Sequence, residues 1–268
     1  MNDFSLHTLF AQAMDARLDC VKATPKNILL IGGDGGASRA LLAKRYPTAR
    51  MDAVVADDDC AAAETAAIKR QRTWRQLLPQ HRPQLFRQPV SAPLPSAAYD
   101  CLWANLCTAV TDKTVLSAWR AALRPDGMVF FSTFGVDTLR EIRALLQTAE
   151  MDETLPDLPD MHDIGDELLR CGFSDPVTDM EKRTLTYRTP QRFWDDVAML
   201  GLTDYVPHSA AGRELVEQAL LKGSLHGVTL EIVYGHAVHL FRQPEEAGEA
   251  TVQFYRQRPS FDQQRLPE

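Results

Sequence analysis

Four glycines within five residues follow the first strongly apolar segment of the chain. Residues 27–31 read Asn-Ile-Leu-Leu-Ile, a short continuous apolar run that is typical of a strand buried on both faces of a sheet. The glycine turn 32–36 comes next, and a helical pattern over 37–46 follows it. Such a turn lets a ligand approach the backbone and the helix N-terminus, although a tight turn also needs glycine for conformational reasons alone.

The alternation of strand and helix continues through the first 150 residues. Further strands are predicted at 52–56, 99–103 and 128–132, and helices at 5–22, 61–78, 113–123 and 137–149. Alternating units of this kind predict an α/β fold, namely a doubly wound and mostly parallel sheet with helices on both faces.

Beyond residue 156 the hydrophobic pattern is less regular. It predicts helices at 163–171 and 190–201, an edge strand at 182–188 and a late strand at 230–234. We therefore expect four regions along the chain: a sheet core over 1–150, a helical lid or substrate-side insertion over 151–224, a returning core strand within 225–242, and a polar tail over 243–268.

Charge and hydropathy exclude several classes of protein. The 29 Lys and Arg residues against 36 Asp and Glu give a net charge of −7, which disfavours broad binding to nucleic acid or to an anionic membrane. The apolar runs are far shorter than the roughly 20 residues of a membrane span, and the N-terminus does not read as a signal peptide. We expect a cytoplasmic protein. The five cysteines (Cys20, Cys60, Cys101, Cys107 and Cys171) form no CxxC pair, so reduced thiols and no metal site are predicted.

A run of three acids ends the second predicted strand. A carboxylate at Asp57, Asp58 or Asp59 can accept two hydrogen bonds from a ribose diol. The same residues can instead form a solvated turn that caps the next helix. Both interpretations stay open for each of the three.

Several motifs resemble those of known methyltransferases. The order of elements, the segment Trp103-Ala-Asn-Leu106 and the turn Leu123-Arg-Pro-Asp-Gly127 resemble class I S-adenosylmethionine (SAM)-dependent methyltransferases. Later motifs are more specific and resemble the biotin-pathway malonyl-acyl-carrier-protein O-methyltransferases, the BioC family. They lie at 131–143, 160–166, 172–177, 185–187 and 234–237. The resemblance covers about residues 10–240 and implies a class I, Rossmann-like methyltransferase fold with a helical lid.

The resemblance implies a SAM-dependent enzyme that methylates the free carboxylate of malonyl-acyl-carrier protein. A carboxylate is already ionised at neutral pH, so its alignment and desolvation would supply most of the catalysis. An arginine fork is the natural clamp, and Arg143 or Arg140 would supply it. Tyr187 and His162 are the other catalytic candidates, and Trp103 is a candidate wall of the pocket. Each of these five residues has a structural alternative, either as a solvated helix residue or as part of the core.

The same resemblance implies a set of cofactor-binding residues, namely Gly32, Asp34, Gly36, Asp57, Asp58 and Asn105. The chain departs from the family pattern at two of the positions that would contact the methionyl group. Leu30 stands where the family has an acid, and Asp34 stands where it has the central glycine. Leu30 cannot accept a hydrogen bond from an ammonium group, and Asp34 adds a side chain where the backbone would approach the ligand.

Two further departures concern the adenine and the opening helix. The acid expected to meet the adenine amino group falls near Gln88-Pro-Val90 and is missing. The opening segment is short and lacks the tyrosine-bearing helix that covers the cofactor in the family. A degenerate, non-catalytic family member that acts as a binding or assembly partner therefore stays as the alternative. A third possibility, a relative of the arginine hydroxylases of respiratory complex I assembly, has no metal-ligand cluster to support it.

The densest basic run of the chain lies at residues 69–75, which read Lys-Arg-Gln-Arg-Thr-Trp-Arg. It is interpreted either as a solvated helix face or as a docking face for an acidic partner such as acyl carrier protein.

Overall fold

The computed structural model describes residues 4–71 and 78–240. Within them the α-helices are α1 (Ser5–Arg17), α2 (Ala37–Arg45), α3 (Asp58–Arg70), α4 (Lys113–Ala122), α5 (Arg140–Thr148), α6 (Met161–Arg170), α7 (Pro190–Met199) and α8 (Ala210–Lys222). The strands are β1 (Asn27–Ile31), β2 (Arg50–Val55), β3 (Leu85–Arg87), β4 (Tyr99–Ala104), β5 (Leu123–Phe134), β6 (Ser174–Leu185) and β7 (Val228–His239).

These strands form one sheet in the order β3-β2-β1-β4-β5-β7-β6. The first five are parallel to one another, and β7 runs antiparallel to both β5 and β6. The predicted α/β fold with a mostly parallel, doubly wound sheet is confirmed. The strand order reverses between β1 and β4, and open α/β sheets bind ligands outside the carboxyl ends of the strands at such a point.

Each central strand is buried on both faces, which is why its sequence is apolar without alternation. Ile28 and Leu30 of β1 pack into the layer that holds α1, α2, α5, α7 and α8, whereas Leu29 and Ile31 pack into the layer that holds α4 and α6. Two side chains anchor the layers: Phe10 of α1 in the first and Trp119 of α4 in the second are fully buried. The first layer is the one that adjoins the candidate site.

The region 151–224 contains α6, β6, α7 and α8, and its role as a lid or insertion stays a prediction. Strand β6 is the edge strand of the sheet, paired with β7 over most of its length. Helices α7 and α8 lie between β6 and β7 in the chain. The returning strand expected within 225–242 is β7. The predicted polar tail, 243–268, and residues 72–75 of the basic run lie outside the described residues.

The sequence pattern predicts neither β3 nor α8. Strand β3 has only three residues. Helix α8 has Ser209 as its N-cap, and the Ser209 hydroxyl accepts a hydrogen bond from the N–H of Gly212 at 3.0 Å. The four cysteines whose side chains the structure describes are free thiols. Burial raises the pKa of Cys101 to about 12 and that of Cys107 to about 11.

Candidate active site

The glycine turn lies at the carboxyl end of β1, where the strand order reverses. Gly32, Gly35 and Gly36 have φ angles of +87°, +68° and +83°, a backbone region that L side chains rarely adopt. A Cβ at Gly36 would lie 2.3 Å from the Cβ of Ala67, so glycine also lets α3 pack closely against the turn. The glycines thus meet a conformational requirement, and it is the residue between them that carries polar chemistry.

Asp34 stands at the centre of the turn, and its carboxylate accepts hydrogen bonds within the fold. One oxygen, Oδ1, accepts from the N–H of Gly36 at 3.2 Å. The other, Oδ2, accepts from the N–H of Ser38 at 3.0 Å, from the Ser38 hydroxyl, and from Nδ2 of Asn105 at 3.1 Å. The side chain is only 8% exposed. The turn therefore holds a buried carboxylate at the N-terminus of α2, which favours negative charge.

Asn105 joins the ends of β4 and β5 to this turn. Its Oδ1 accepts from the hydroxyl of Ser132 at 3.1 Å, and Nδ2 donates both to Asp34 and to the carbonyl of His7 at 2.9 Å. Trp103, one of the candidates for the pocket wall, lies in the core beneath the turn, where its indole N–H donates to the Ser38 hydroxyl at 2.8 Å. The structure thus brings together Asp34 and Asn105, two of the predicted cofactor residues.

The first turn of α1 covers the glycine turn. A Cβ at Gly35 would lie 2.6 Å from the ring of Phe4, and the rings of Phe4 and His7 meet edge to face with centroids 5.6 Å apart. The imidazole of His7 is 5% exposed, and its Nδ1 is buried without a hydrogen-bond partner. The sequence predicts an opening helix at 5–22 that lacks the tyrosine-bearing character of the family's covering helix. The structure places the start of α1 over the turn, where Phe4 is the side chain that covers Gly35.

The stability of the fold should depend on pH through His7. Burial lowers the pKa of His7 below its usual 6.5, against the opposing charge of Asp34. The unfolded chain then binds the proton more tightly, so stability is full above the unfolded pKa and falls as the pH drops through the window below it. Each unit by which the pKa is lowered corresponds to about 1.4 kcal/mol. We expect the melting temperature of the wild type to fall more steeply than that of His7→Gln between about pH 7 and about pH 5.5.

A control for this experiment comes from His236, whose pKa is also lowered by burial, against the charge of Asp179. His236 is present in both proteins, so the difference between the two melting curves isolates His7. Parallel curves for the wild type and the variant would contradict the prediction.

Asp57 and Asp58 lie at the neighbouring edge of the sheet, after β2. Asp57 caps α3, since its carboxylate accepts from the N–H of Cys60 at 2.7 Å, and the Cys60 thiol in turn contacts the carbonyl of Gly33 at 3.5 Å. Asp58 is exposed and forms an ion pair with Arg87 at 3.3 Å. The start of α3 is therefore next to the turn, and both acids face solvent.

Arg143, the first of the predicted catalytic residues, lies on α5. Its Nη2 donates to the carbonyls of Val136 and Thr138 at 2.8 and 2.7 Å, which ties the helix to the loop after β5. Its Nη1 is buried and has no hydrogen-bond partner. Arg143 also lines a cavity of about 290 Å³ together with Leu146, Met151 and Leu155. One half of the guanidinium is thus used by the fold, and the other half has no acceptor among the described residues, although Asp152 and Glu153 line the same cavity.

The other catalytic candidates occupy different surroundings. Tyr187 packs edge to face on Phe193 of α7, and burial, together with Asp196, which accepts its hydrogen bond, raises the pKa of its hydroxyl. His162 is exposed near the start of α6, in the second layer, and its backbone N–H donates to the Asp160 carboxylate at 2.8 Å. Arg140 is exposed and contacts Asp137 and Glu141. The structure therefore does not bring these three together with Arg143, and their roles stay predictions.

Sequence reasoning missed His7, Ser38 and Ser132 as members of the site. One signal was available for His7. The buried residues of α1 are His7, Phe10, Ala11 and Met14, which follow the spacing of a single helix face, so this histidine lies on the apolar side. Ser38 and Ser132 carry no such signal, because their contacts join elements that are far apart in the chain.

Comparison with known proteins identifies the family. A malonyl-acyl-carrier-protein O-methyltransferase from Halorhodospira halophila is 31% identical over 246 residues, which cover 86% of this chain and 80% of the relative. A protein of the same name from Gallionella capsiferriformans is 32% identical over 238 residues, covering 82% and 79%. This chain belongs to the malonyl-acyl-carrier-protein O-methyltransferase family. The resemblance seen in the motifs is confirmed. No protein-family model matches the chain.

Solved structures agree on the fold of this family member. The YcgJ protein of Bacillus subtilis superimposes with a TM-score of 0.57 at 8% identity, covering 88% of this chain and all of the other. A Haemonchus contortus phosphoethanolamine N-methyltransferase 2, solved in complex with SAM, gives a TM-score of 0.51 at 15% identity, covering 86% of this chain and 52% of the other. At these identities the match supports the class I methyltransferase fold.

The described residues contain neither a membrane-spanning helix nor a metal-binding group of side chains. None of the helices over 4–71 and 78–240 is both long and apolar enough to cross a bilayer. Across the same residues, His, Cys, Asp and Glu side chains form no group of three arranged to hold a metal ion.

Proposed function

We propose that this protein uses SAM to methylate the free carboxylate of malonyl-acyl-carrier protein. The observation that carries the proposal is the match to relatives of that name over about four fifths of their length. The site adds a physical argument, because Arg143 offers an unpaired, buried Nη1 beside a cavity of about 290 Å³. A guanidinium in such a position is suited to hold a carboxylate, which prefers charge-assisted hydrogen bonds.

The residues around the glycine turn fit the methionyl part of SAM. That part carries an ammonium and a carboxylate, and the site holds a buried carboxylate on Asp34 and an unpartnered Nδ1 on His7. Asn105 lies between them, and Asp57 and Asp58 at the end of β2 remain the candidates for the ribose. Because Phe4 covers Gly35, binding requires Phe4 to move away from the turn. When bound, SAM supplies an electrophilic methyl group.

The remaining catalytic work falls to the side chains that hold the acceptor. The malonyl carboxylate is ionised at neutral pH and needs no general base. The raised pKa of Tyr187 keeps its hydroxyl protonated, and this hydroxyl donates to Asp196, so Tyr187 is not a base for this step. Arg143 holds the carboxylate, and Leu146, Met151 and Leu155 supply the apolar part of a cavity that Asp152 and Glu153 also line. Positioning and desolvation then account for most of the rate enhancement.

The proposed substrate implies a protein partner, acyl carrier protein, and a cytoplasmic enzyme. Residues 69–75 are the proposed docking face for this partner, because a basic segment on an otherwise acidic protein would steer an acidic carrier during encounter. Lys69 and Arg70 end α3, which lies beside the glycine turn.

The proposal is tested by incubating the purified protein with SAM and malonyl-acyl-carrier protein. Mass spectrometry should show one added methyl group on the malonyl-loaded carrier. Acetyl-acyl-carrier protein, which lacks the free carboxylate, is the control and should stay unmodified. Binding of SAM without any methylation of the malonyl substrate would refute the substrate assignment. Absence of SAM binding would refute the proposed methyltransferase activity and leave the alternative of a non-catalytic binding partner.

A further inference from the structure

Asp34 is a buried carboxylate without a cation. It is 8% exposed, and no Lys, Arg or His nitrogen of the described residues lies within ion-pair distance of it. All four of its hydrogen bonds come from neutral donors: the N–H groups of Gly36 and Ser38, the Ser38 hydroxyl and the Asn105 amide. Such donors stabilise a negative charge, but they do not neutralise it.

The proton arrangement around Ser38 supports this view of the carboxylate. Trp103 donates its indole N–H to the Ser38 oxygen, so the Ser38 hydroxyl proton is directed towards Asp34. Asn105 is oriented in the same way, because its oxygen accepts from Ser132 and its amide nitrogen faces Asp34. Every neighbouring group therefore presents a hydrogen to Asp34. An incoming carboxylate would be repelled at this place, whereas an incoming ammonium would be attracted.

His7 supplies the complementary feature. His7 belongs to the first turn of α1, its Nδ1 is buried without a partner among the described residues, and Asn105 bonds both the His7 carbonyl and Asp34. Unpaired buried nitrogen is costly, so a ligand that satisfies it gains free energy. Among the described residues, the structure thus holds an acid without a cation and an unsatisfied imidazole on two segments that Asn105 joins.

We propose that Asp34 binds the α-ammonium group of the cofactor's methionyl part and that His7 binds its α-carboxylate. Asp34 would take over the function of an acid at the end of β1, a position where this chain has Leu30. Leu30 is buried among Trp103 and Phe130 in the first layer, so an acid there would be costly in this fold. The inference rests on the proposed function, because it names how the same cofactor is recognised.

The structure also shows how the ligand would reach Asp34. Helix α1 has no side-chain cap at its start, where Phe4 precedes the first turn. Its second half is held firmly: Phe10 and Met14 are buried in the core, and Arg17 pairs with Asp179 at 3.0 Å. Phe4 can therefore move away from Gly35 while His7 stays in place, because the His7 carbonyl accepts a hydrogen bond from Asn105.

The opposite interpretation is that Asp34 blocks the cofactor, and the two interpretations predict opposite signs. If Asp34 binds the ammonium group, Asp34→Asn should weaken binding of S-adenosylhomocysteine by about ten- to a hundredfold, the usual effect of losing a hydrogen bond to a charged group. Binding of methylthioadenosine, which lacks the amino-acid part, should change little. Isothermal titration calorimetry measures both. Asp126→Asn, the same change at an exposed position within β5, is the matched control and should affect neither ligand.

A second measurement needs no variant and therefore does not depend on the folding of Asp34→Asn. The wild type should bind S-adenosylhomocysteine at least about tenfold more tightly than the analogue that lacks only the ammonium group. Equal binding of these two ligands, or an Asp34→Asn protein that keeps or gains affinity, would overturn the inference while leaving the proposed function intact. If the wild type binds neither SAM nor S-adenosylhomocysteine, both the inference and the proposed function are refuted.

Discussion

Replacing Arg143 with alanine should reduce kcat/KM for malonyl-acyl-carrier protein by about ten- to a hundredfold, while the affinity for S-adenosylhomocysteine stays nearly unchanged. The reason is that the unpaired Nη1 of Arg143 is the group proposed to hold the acceptor carboxylate, whereas the cofactor residues lie at the ends of β1, β2 and β4. Methyl transfer is measured by mass spectrometry, and cofactor affinity by calorimetry on the same preparation.

Two variants separate this effect from a general disturbance of α5. Arg143→Lys keeps the charge but loses the planar fork, so it should restore little activity. Arg140→Ala removes an arginine of the same helix whose side chain is 56% exposed and contacts only Asp137 and Glu141, so it should leave activity close to that of the wild type. Full activity of Arg143→Ala would show that the carboxylate is held elsewhere.

The fold could be predicted from the sequence because the patterns that mark its strands and turns each lie within a short segment of the chain. The apolar run of β1 and the glycine turn after it mark a strand and a tight connection within ten residues, and the same pattern repeats at β2, β4 and β5. The extent of β6 could not be predicted. It is an edge strand with many exposed side chains, and its 12 residues include three acids and two bases without an apolar period. Its place in the sheet depends on β7, which is more than 40 residues later in the chain.

The candidate site could be predicted only in part, for a related reason. Asp34 and Asn105 are predicted as cofactor residues because they lie in segments that resemble motifs of the family. The contacts that define their chemistry span the chain: Asn105 binds the carbonyl of His7, which is 98 residues away, and Ser132 through a different strand. The interpretation of Asp34 as an obstacle to cofactor binding also came from its position alone. In the structure, the Asp34 carboxylate is held by hydrogen bonds from Gly36, Ser38 and Asn105, so it is an integral part of the turn.

Beneath the glycine turn, a buried ion pair between α2 and α3 should be the most sensitive polar contact of the fold. Arg39 and Glu64 are 3% and 4% exposed, and they are hydrogen-bonded to each other. Burial raises the pKa of Glu64, although the charge of Arg39 and the hydrogen bond from it oppose the change. Glu64→Leu would leave the guanidinium buried without a counter-charge, at a cost of about 3–5 kcal/mol in the free energy of unfolding. Denaturant titration measures this loss.

Replacing both residues tests whether the ion pair itself stabilises the fold. The alternative is that stability is lost only when one of the two charges is left buried without its partner. Arg39 Nη1 donates to the carbonyl of Met51 at 3.0 Å, but Nη2 has no partner, so part of the desolvation cost is never recovered. We therefore expect Arg39→Met with Glu64→Leu to recover most of the stability that Glu64→Leu loses. The exposed pair of Arg87 and Asp58 is the control, since Arg87→Met should change stability little. A double variant as unstable as Glu64→Leu would show instead that the pair contributes to stability in its own right. The carboxylate of Glu64 lies 3.9 Å from the place of a Cβ on Gly36, so cofactor affinity of the stable double variant would also show whether the pair shapes the turn that holds Asp34.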